Sequence, residues 1–178
     1  MSATIANWVP DAALATQPLV ESAAHRGGMR NFAAGVTIIT AAHGSERAGL
    51  TATAMVSVTA DPPRLMVFVN KNVAAADIIL RRGALGVNVL AGEQEEVAKA
   101  FAGMIPDVRG EARFNFGEWG TLMTGVPVLT GALAVFDTRV TKVTEESTHY
   151  ACLCEVLATR EISGTPLLYF NGAFHRLP

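Results

Sequence analysis

Asn70-Lys71-Asn72 leads into the apolar, alanine-rich stretch Val73 to Leu80. The first amides of a helix starting there, with the Lys71 ammonium beside them, make a site for a phosphate. The same residues also read as a simple helix cap, with Asn72 at the capping position. Upstream, Ala48-Gly49-Leu50-Thr51-Ala52-Thr53-Ala54 combines small side chains, hydroxyls and an accessible backbone. That is the composition needed where a flat ring or a polar edge comes close to the main chain, and it also suits a Thr/Ala strand packed on a small-residue neighbour. Phe101-Ala102-Gly103 reads either as a helix end packed on the core or as an apolar wall whose glycine lets a ligand close on the backbone. His149 follows a polar turn and opens a strand, on the face opposite Tyr150, Cys152 and Cys154, where a side chain can reach a pocket mouth or solvent.

Other chemistries have no anchor in the chain. The four histidines, His25, His43, His149 and His175, are scattered, and the two cysteines lack the further thiols or paired histidines of a zinc site, so no metal is expected. Cys152 and Cys154 share one face of an extended strand and read as small buried thiols rather than a redox pair. There is no glycine-rich dinucleotide fingerprint, Walker-type phosphate loop, nucleophile elbow or His-Glu-x-x-His. These absences remove Rossmann dehydrogenases, nucleotide triphosphatases and ordinary serine hydrolases from consideration.

The elements that must position these residues are mostly strands. Gly35 opens the β-branched run Val36 to Thr40, and Ala42 to Arg47 supplies turn chemistry, so this region reads as a hairpin. Leu50 to Thr59 is extended, Asp61-Pro62-Pro63 forces a turn, and Leu65 to Val69 is a buried strand by length and composition. A helix is predicted over Asn72 to Arg82, with Arg81 and Arg82 at its negative end and Gly83 to stop it. Leu85 to Leu90 reads as a strand, and a second helix runs from Glu93 through Phe101 to a stop at Gly103. Residues 104–131 are rich in turn formers around Phe114, Phe116 and Trp119 and read as a long surface excursion with a strand or two at most. Ala132 to Thr144 and His149 to Arg160 are β-rich segments joined by Glu145 to Thr148, and Asn171-Gly172 turns a closing hairpin. Leu19 to Ala34 has the spacing of an amphipathic helix weakened by Gly27 and Gly28, after an N-terminal arm over residues 1–20. Closely spaced strands with sparse helices predict a closed or partly closed antiparallel barrel over residues 21–178 rather than a parallel sheet.

A chain of 178 residues buries enough surface for one domain with one core. Hydrophobic residues make up 50% and charged residues only 17%, a small solvated surface for a monomer, so an oligomer is expected. Fourteen basic against sixteen acidic residues, with no basic run, argue against nucleic acid as a partner. No stretch is long and apolar enough for a membrane helix, and the N-terminus lacks the pattern of a secretory signal. Two thiols without a disulfide spacing fit a cytoplasmic setting.

Taken together and in order, several segments resemble the flavin reductase family, split-barrel enzymes that supply reduced flavin to two-component monooxygenases. The matching text is Met29 to Thr40, Ala48 to Ala54, Ser57 to Pro63, Gly86 to Leu90, Phe101-Ala102-Gly103, His149 and Pro166 to Tyr169. The resemblance implies a Greek-key split β-barrel with a few short helices, homodimeric, that binds FMN or FAD and takes NADH or NADPH as co-substrate. Carried over by position, Ala48, Gly49, Leu50, Thr51, Ala52, Thr53 and Ala54 would line the isoalloxazine and ribityl chain. Val69, Asn70 and Lys71 with the Ala74 and Ala75 amides would hold the phosphate, Phe101 and Ala102 would close over the flavin, and His149 would stand where the nicotinamide docks. Val73 and Ala75 occupy positions where many relatives have Ser or Thr, so phosphate binding would rest on backbone amides and Lys71. The implied activity is NAD(P)H-dependent reduction of free flavin for a partner oxygenase. It needs stacking of two rings rather than an acid or base, which agrees with the missing triad. The alternative is a split barrel that binds flavin or haem without turning it over.

Overall fold

A computed structural model describes residues 9–177. Residues 9–32 carry two helices, α1 (Ala12–Ala15) and α2 (Ser22–Met29). Asp11 caps α1 by accepting the Ala13 N–H at 2.8 Å. The helix expected over Leu19 to Ala34 is confined to α2, which stops one residue past the Gly27-Gly28 pair that lowers its propensity. Of the expected N-terminal arm, residues 1–8 lie outside the described residues.

From Ala33 onward the chain forms a second unit of mainly β structure. Its strands are β1 (Ala34–Gly35), β2 (Thr37–His43), β3 (Glu46–Ala52), β4 (Met55–Ala60), β5 (Pro63–Asn70), β6 (Ala84–Val89), β7 (Trp119–Thr121), β8 (Pro127–Leu129), β9 (Ala134–Glu146), β10 (His149–Glu161), β11 (Leu167–Phe170) and β12 (Ala173–Arg176). Two short helices interrupt them, α3 (Ala74–Arg82) and α4 (Glu95–Phe101). Among the described residues the strand pairings are antiparallel, and seven strands form one sheet in the order β3-β2-β6-β9-β10-β5-β4. Its edge strands β3 and β4 are consecutive in the chain and separated only by Thr53 and Ala54. The sheet therefore curls until the end of β3 meets the start of β4. No helix is long and apolar enough to cross a membrane among the described residues.

Two cores flank this sheet. Ile39, Val67, Val69, Leu85, Cys152 and Cys154 alternate along their strands to face α3, which returns Ala75, Ala76, Ile78 and Ile79 at helical spacing. Gly83 ends α3 as expected, in the left-handed region at φ 70° with its N–H on the Ile79 carbonyl at 2.7 Å. The start differs from expectation. Asn70 Oδ1 accepts the Asn72 N–H at 2.9 Å, an Asx turn that delays the helix, so Val73 rather than Asn72 is the cap residue and no side chain bonds the first turn.

The second core corrects the reading of residues 104–131 as a surface excursion. Phe114, Val128 and Leu129 are buried there with Phe101 and Leu90, Trp119 packs against them, and Val126 is also fully buried. The segment does hold two short strands, β7 and β8, and its apolar residues turn inward from these strands and from the 3₁₀ turn at Phe114 rather than at one regular period. The closing hairpin is as expected: Asn171 and Gly172 take φ 50° and 84°, as a two-residue turn of this hand requires. Strands β9 and β10 run closer together than expected, so only Ser147 and Thr148 remain as the turn.

Burial pushes the Cys152 thiol up to about 11 and the Cys154 thiol up to about 12. Both thiols should be inert to an aromatic disulfide reagent at pH 8 and react in urea. An unfolded thiol titrates near about 8.5, so the folded value is the higher one. The contribution of these thiols to stability is whole below that pH and is lost as pH rises toward the folded values. Urea midpoints should fall between pH 8 and pH 10.5, and the fall should shrink in a Cys152→Ala/Cys154→Ala variant.

Candidate functional site

The alternation of β3 sets which neighbour each of its residues faces. Ala48, Leu50 and Ala52 turn toward the α3 core, while Gly49 and Thr51 turn toward α4. Thr51 Oγ1 donates to the Ala98 carbonyl at 2.7 Å, which ties the strand to α4. Arg113, in a 3₁₀ segment over Gly110–Asn115, donates to the Gly49 carbonyl at 3.1 Å. Arg47 bonds Glu111 at 2.6 Å and lies over the Phe114 ring at 4.3 Å. The strand is thus held at three successive positions on one side.

Past the last of these ties the strand borders a surface-open cavity of about 210 Å³. Thr51, Ala52 and Thr53 form one side, Ala102 and Met104 another, and Val36, Tyr169 and Phe174 the third. Tyr169 and Phe174 stand directly opposite each other on β11 and β12 with ring centroids 5.3 Å apart. Small residues on one wall and aromatic edges on another leave room for a planar group lying against main chain.

Of the residues singled out in the sequence, Thr51, Ala52, Thr53 and Ala102 line this cavity. Phe101 is not among the residues that border it. It is 2% exposed, and its ring packs on Phe114 and Trp119 at 5.1 and 5.3 Å, because the last turn of α4 points it inward over Gly49. Ala48 is buried and Leu50 packs on the α3 core, so both support the strand from behind. Ala54 is exposed at the corner, and its carbonyl accepts the Phe68 N–H at 3.0 Å. That bond places the corner beside β5, two residues before Asn70.

The remaining candidates gather where β5 ends. Val69 is buried toward the α3 core, whereas Asn70 and Lys71 are half-buried at the strand's end. His149 is registered opposite Asn70, and the Lys71 N–H bonds the Thr148 carbonyl at 3.0 Å. His149 Nδ1 pairs with Thr148 Oγ1 at 2.8 Å, which leaves Nε2 as the ring nitrogen a ligand would meet. The Lys71 ammonium lies 5.5 Å from the centre of the Tyr150 ring and is ion-paired with Glu145. Ala74 is exposed and Ala75 buried at the start of α3, whose first turn has no side-chain cap. Among the described residues no group of three or more His, Cys, Asp or Glu could hold a metal ion.

Val36, Met104, Tyr169 and Phe174 were missed as cavity residues. The aromatic pair had a signal, since a two-residue turn at Asn171-Gly172 fixes Tyr169 opposite Phe174. Arg113 was missed as well. Its guanidinium is held below its usual range by burial and by the charge of Arg109, and its Nε is buried without a partner. It places a half-buried cation behind the strand that borders the cavity.

Comparison with known proteins gives this geometry a family. Residues 29–178 match the flavin reductase like domain. The chain is 40% identical over 158 residues to an FMN reductase (NADH), RutF 2, of Methylorubrum extorquens, covering 89% of this chain and 90% of that protein. It is 43% identical over 155 residues to the 4-hydroxyphenylacetate 3-monooxygenase reductase component of Pseudomonas aeruginosa, covering 86% and 91%. Among solved structures, the NADH:FAD oxidoreductase SgcE6 of Streptomyces globisporus C-1027 superposes with a TM-score of 0.80 at 28% identity, covering 91% of this chain and 98% of that one. Mainly antiparallel strands, short helices and a match over most of its length establish that this chain belongs to the flavin reductase family.

Proposed function

We propose that this protein uses a reduced nicotinamide to reduce free flavin and passes the product to a separate flavin-dependent oxygenase. The observation that carries the reading is the pairing of an open, small-residue cavity at Thr51 to Thr53 with an uncapped helix start beside Lys71. A flavin has those two requirements, a flat ring system and an anionic tail, and the residues present fit both. Thr51, Ala52, Thr53 and Ala102 would border the ring, and Lys71 with the Ala74 and Ala75 amides would take the phosphate. The bound flavin supplies the hydride acceptor for the nicotinamide.

What the chain contributes is placement. The ties from Thr51 to Ala98 and from Arg113 to Gly49 keep β3 fixed, so the cavity is formed before anything enters it. Tyr169 and Phe174 supply an aromatic wall for the ring to lie beside. An open cavity leaves one face of a bound ring accessible to a second ring, and His149 Nε2 is the group we assign to hold the nicotinamide carboxamide. The relatives' names favour FMN and NADH as the first pair to test, with FAD and NADPH as the competing choices. A non-catalytic flavin or haem carrier is disfavoured because the matched relatives are named as reductases.

We further assign the split-barrel form to the curled seven-stranded sheet, and a homodimer to the protein. Edge strand β4 supports the dimer, since Val56 and Val58 lie exposed on an edge that is unpaired among the described residues and that a second copy would cover. The two unpaired thiols suit a reducing compartment such as the cytoplasm.

Purified protein with excess FMN should oxidise NADH; no turnover with any pairing of the two flavins and two nicotinamides would end the proposal. His149→Ala should raise the nicotinamide KM about tenfold while flavin affinity changes less than about twofold. Steady-state kinetics with each substrate varied separate the two, and unchanged kinetics would remove His149 from the site.

A further inference from the structure

We propose that Glu145 tunes flavin affinity by competing with the flavin phosphate for Lys71, an inference that rests on reading Lys71 as a phosphate ligand. The ammonium of Lys71 is already partnered by the Glu145 carboxylate. The two ends of that pair are unlike. The Lys71 side chain is 20% exposed and the Glu145 side chain 70% exposed. The Lys71 main chain is pinned by its N–H on the Thr148 carbonyl at 3.0 Å, and its mostly buried side chain sets the ammonium 5.5 Å from the centre of the Tyr150 ring. Glu145 comes from the tip of the β9–β10 hairpin, opposite Tyr150, with solvent around most of its length.

An exposed ion pair of this kind contributes little stability and is easily exchanged. A phosphate arriving at Lys71 therefore finds a cation fixed in place and a carboxylate free to swing away. Glu145 then adds like-charge repulsion to the bound state and re-pairs with Lys71 when the site empties. Also on this hairpin are the Glu146 carboxylate, registered opposite His149, and the His149 imidazole itself. Neither replaces Glu145 as the partner of Lys71 among the described residues. For a protein that must release its flavin to another enzyme, a returning carboxylate keeps the phosphate site from holding its ligand too long.

The experiment is an equilibrium titration at low salt, read by quenching of flavin fluorescence. FMN and riboflavin, which lacks the phosphate, are compared on the native protein, Glu145→Gln, Lys71→Met and the double variant. Glu145→Gln should tighten FMN about three- to tenfold and change riboflavin less than about twofold. The gain should vanish in the Lys71→Met background and fade at about 0.5 M salt. Lys71→Met alone should weaken FMN and leave riboflavin unchanged. If it does not discriminate between them, the phosphate reading itself fails. If it does, while Glu145→Gln leaves FMN affinity unchanged or tightens riboflavin equally, the site stands and the competition is overturned. A gain that persists without Lys71 would also overturn it, since the effect would then be general repulsion.

Discussion

Asn88→Leu is expected to lower the free energy of unfolding by about 3 kcal/mol, although it keeps the number and branching of side-chain heavy atoms and adds apolar surface to a core. Asn88 sits on β6 with 0% exposure. Its Nδ2 donates to the Ile38 carbonyl at 3.0 Å, and its Oδ1 accepts the Leu129 N–H at 2.7 Å. Beside it, Thr40 Oγ1 donates to the Pro127 carbonyl at 2.6 Å. Strand β8 is therefore fastened to the seven-stranded sheet by side chains rather than by a ladder of its own. Leucine fills the space but leaves the Leu129 N–H buried without its acceptor, and the strand that carries Val128 and Leu129 into the second core loses one of its side-chain tethers. Urea unfolding should show a lower midpoint at unchanged slope, with a melting temperature reduced by about 10 °C. Thr40→Val should give a smaller loss of about 1 to 2 kcal/mol, because packing is kept and, besides the short bond to Pro127, only two long contacts with the Gly86 carbonyl and Asn88 Nδ2 are removed. A loss below about 0.5 kcal/mol for Asn88→Leu would mean that packing alone holds β8.

That tether marks the boundary of what the sequence disclosed. Local signals carried most of the fold: the β-branched runs at Val36 to Thr40 and Leu65 to Val69, the helical spacing of Ala75, Ala76, Ile78 and Ile79, the stop at Gly83 and the turn at Asn171-Gly172. The start of α3 was misplaced because Asn70 and Asn72 are both competent caps, and only the folded turn decides which oxygen meets which amide. Phe114, Trp119 and Val126 to Leu129 were assigned to the surface because they follow no period. Their burial depends on contacts with residues far away in the chain, such as Leu129 with Asn88 and Arg113 with Gly49. The site divides in the same way. The wall at Thr51 to Thr53 and the turn at Asn70 and Lys71 are contiguous and could be read. Phe174 on the facing wall and Glu145 beside Lys71 arrive from distant strands, and their side chains are ordinary in their own segments. Phe101 belongs to the packing foundation beneath β3, and an apolar residue at a helix end carries no mark in the sequence of which way it turns.

Gly49→Ala tests that foundation, and a single methyl group is expected to reduce stability by about 1 to 3 kcal/mol. A Cβ at position 49 would stand 2.7 and 2.9 Å from two ring carbons of Phe101 and 2.9 Å from the Ile39 carbonyl oxygen. Neither neighbour can yield easily. The carbonyl belongs to the β2 ladder, where Ile39 is registered with Leu50, and the ring is wedged against Phe114 and Trp119. The strain is relieved by moving α4 outward, and α4 carries the Ala98 carbonyl that holds Thr51 and leads directly into Ala102 on the cavity wall. The substitution should therefore weaken flavin binding about tenfold at temperatures where the variant is still fully folded, because the cavity wall itself has shifted. Gly120→Ala is the matched control, since nothing lies within 4 Å of a Cβ there, and it should alter stability by less than about 0.5 kcal/mol and leave flavin affinity unchanged. Titration of both variants with FMN at 15 °C, alongside their urea midpoints, gives the two readings together. If Gly49→Ala loses stability but keeps its affinity, the packing of Phe101 on β3 would be separate from the cavity, and the ring would have to be placed elsewhere on the sheet.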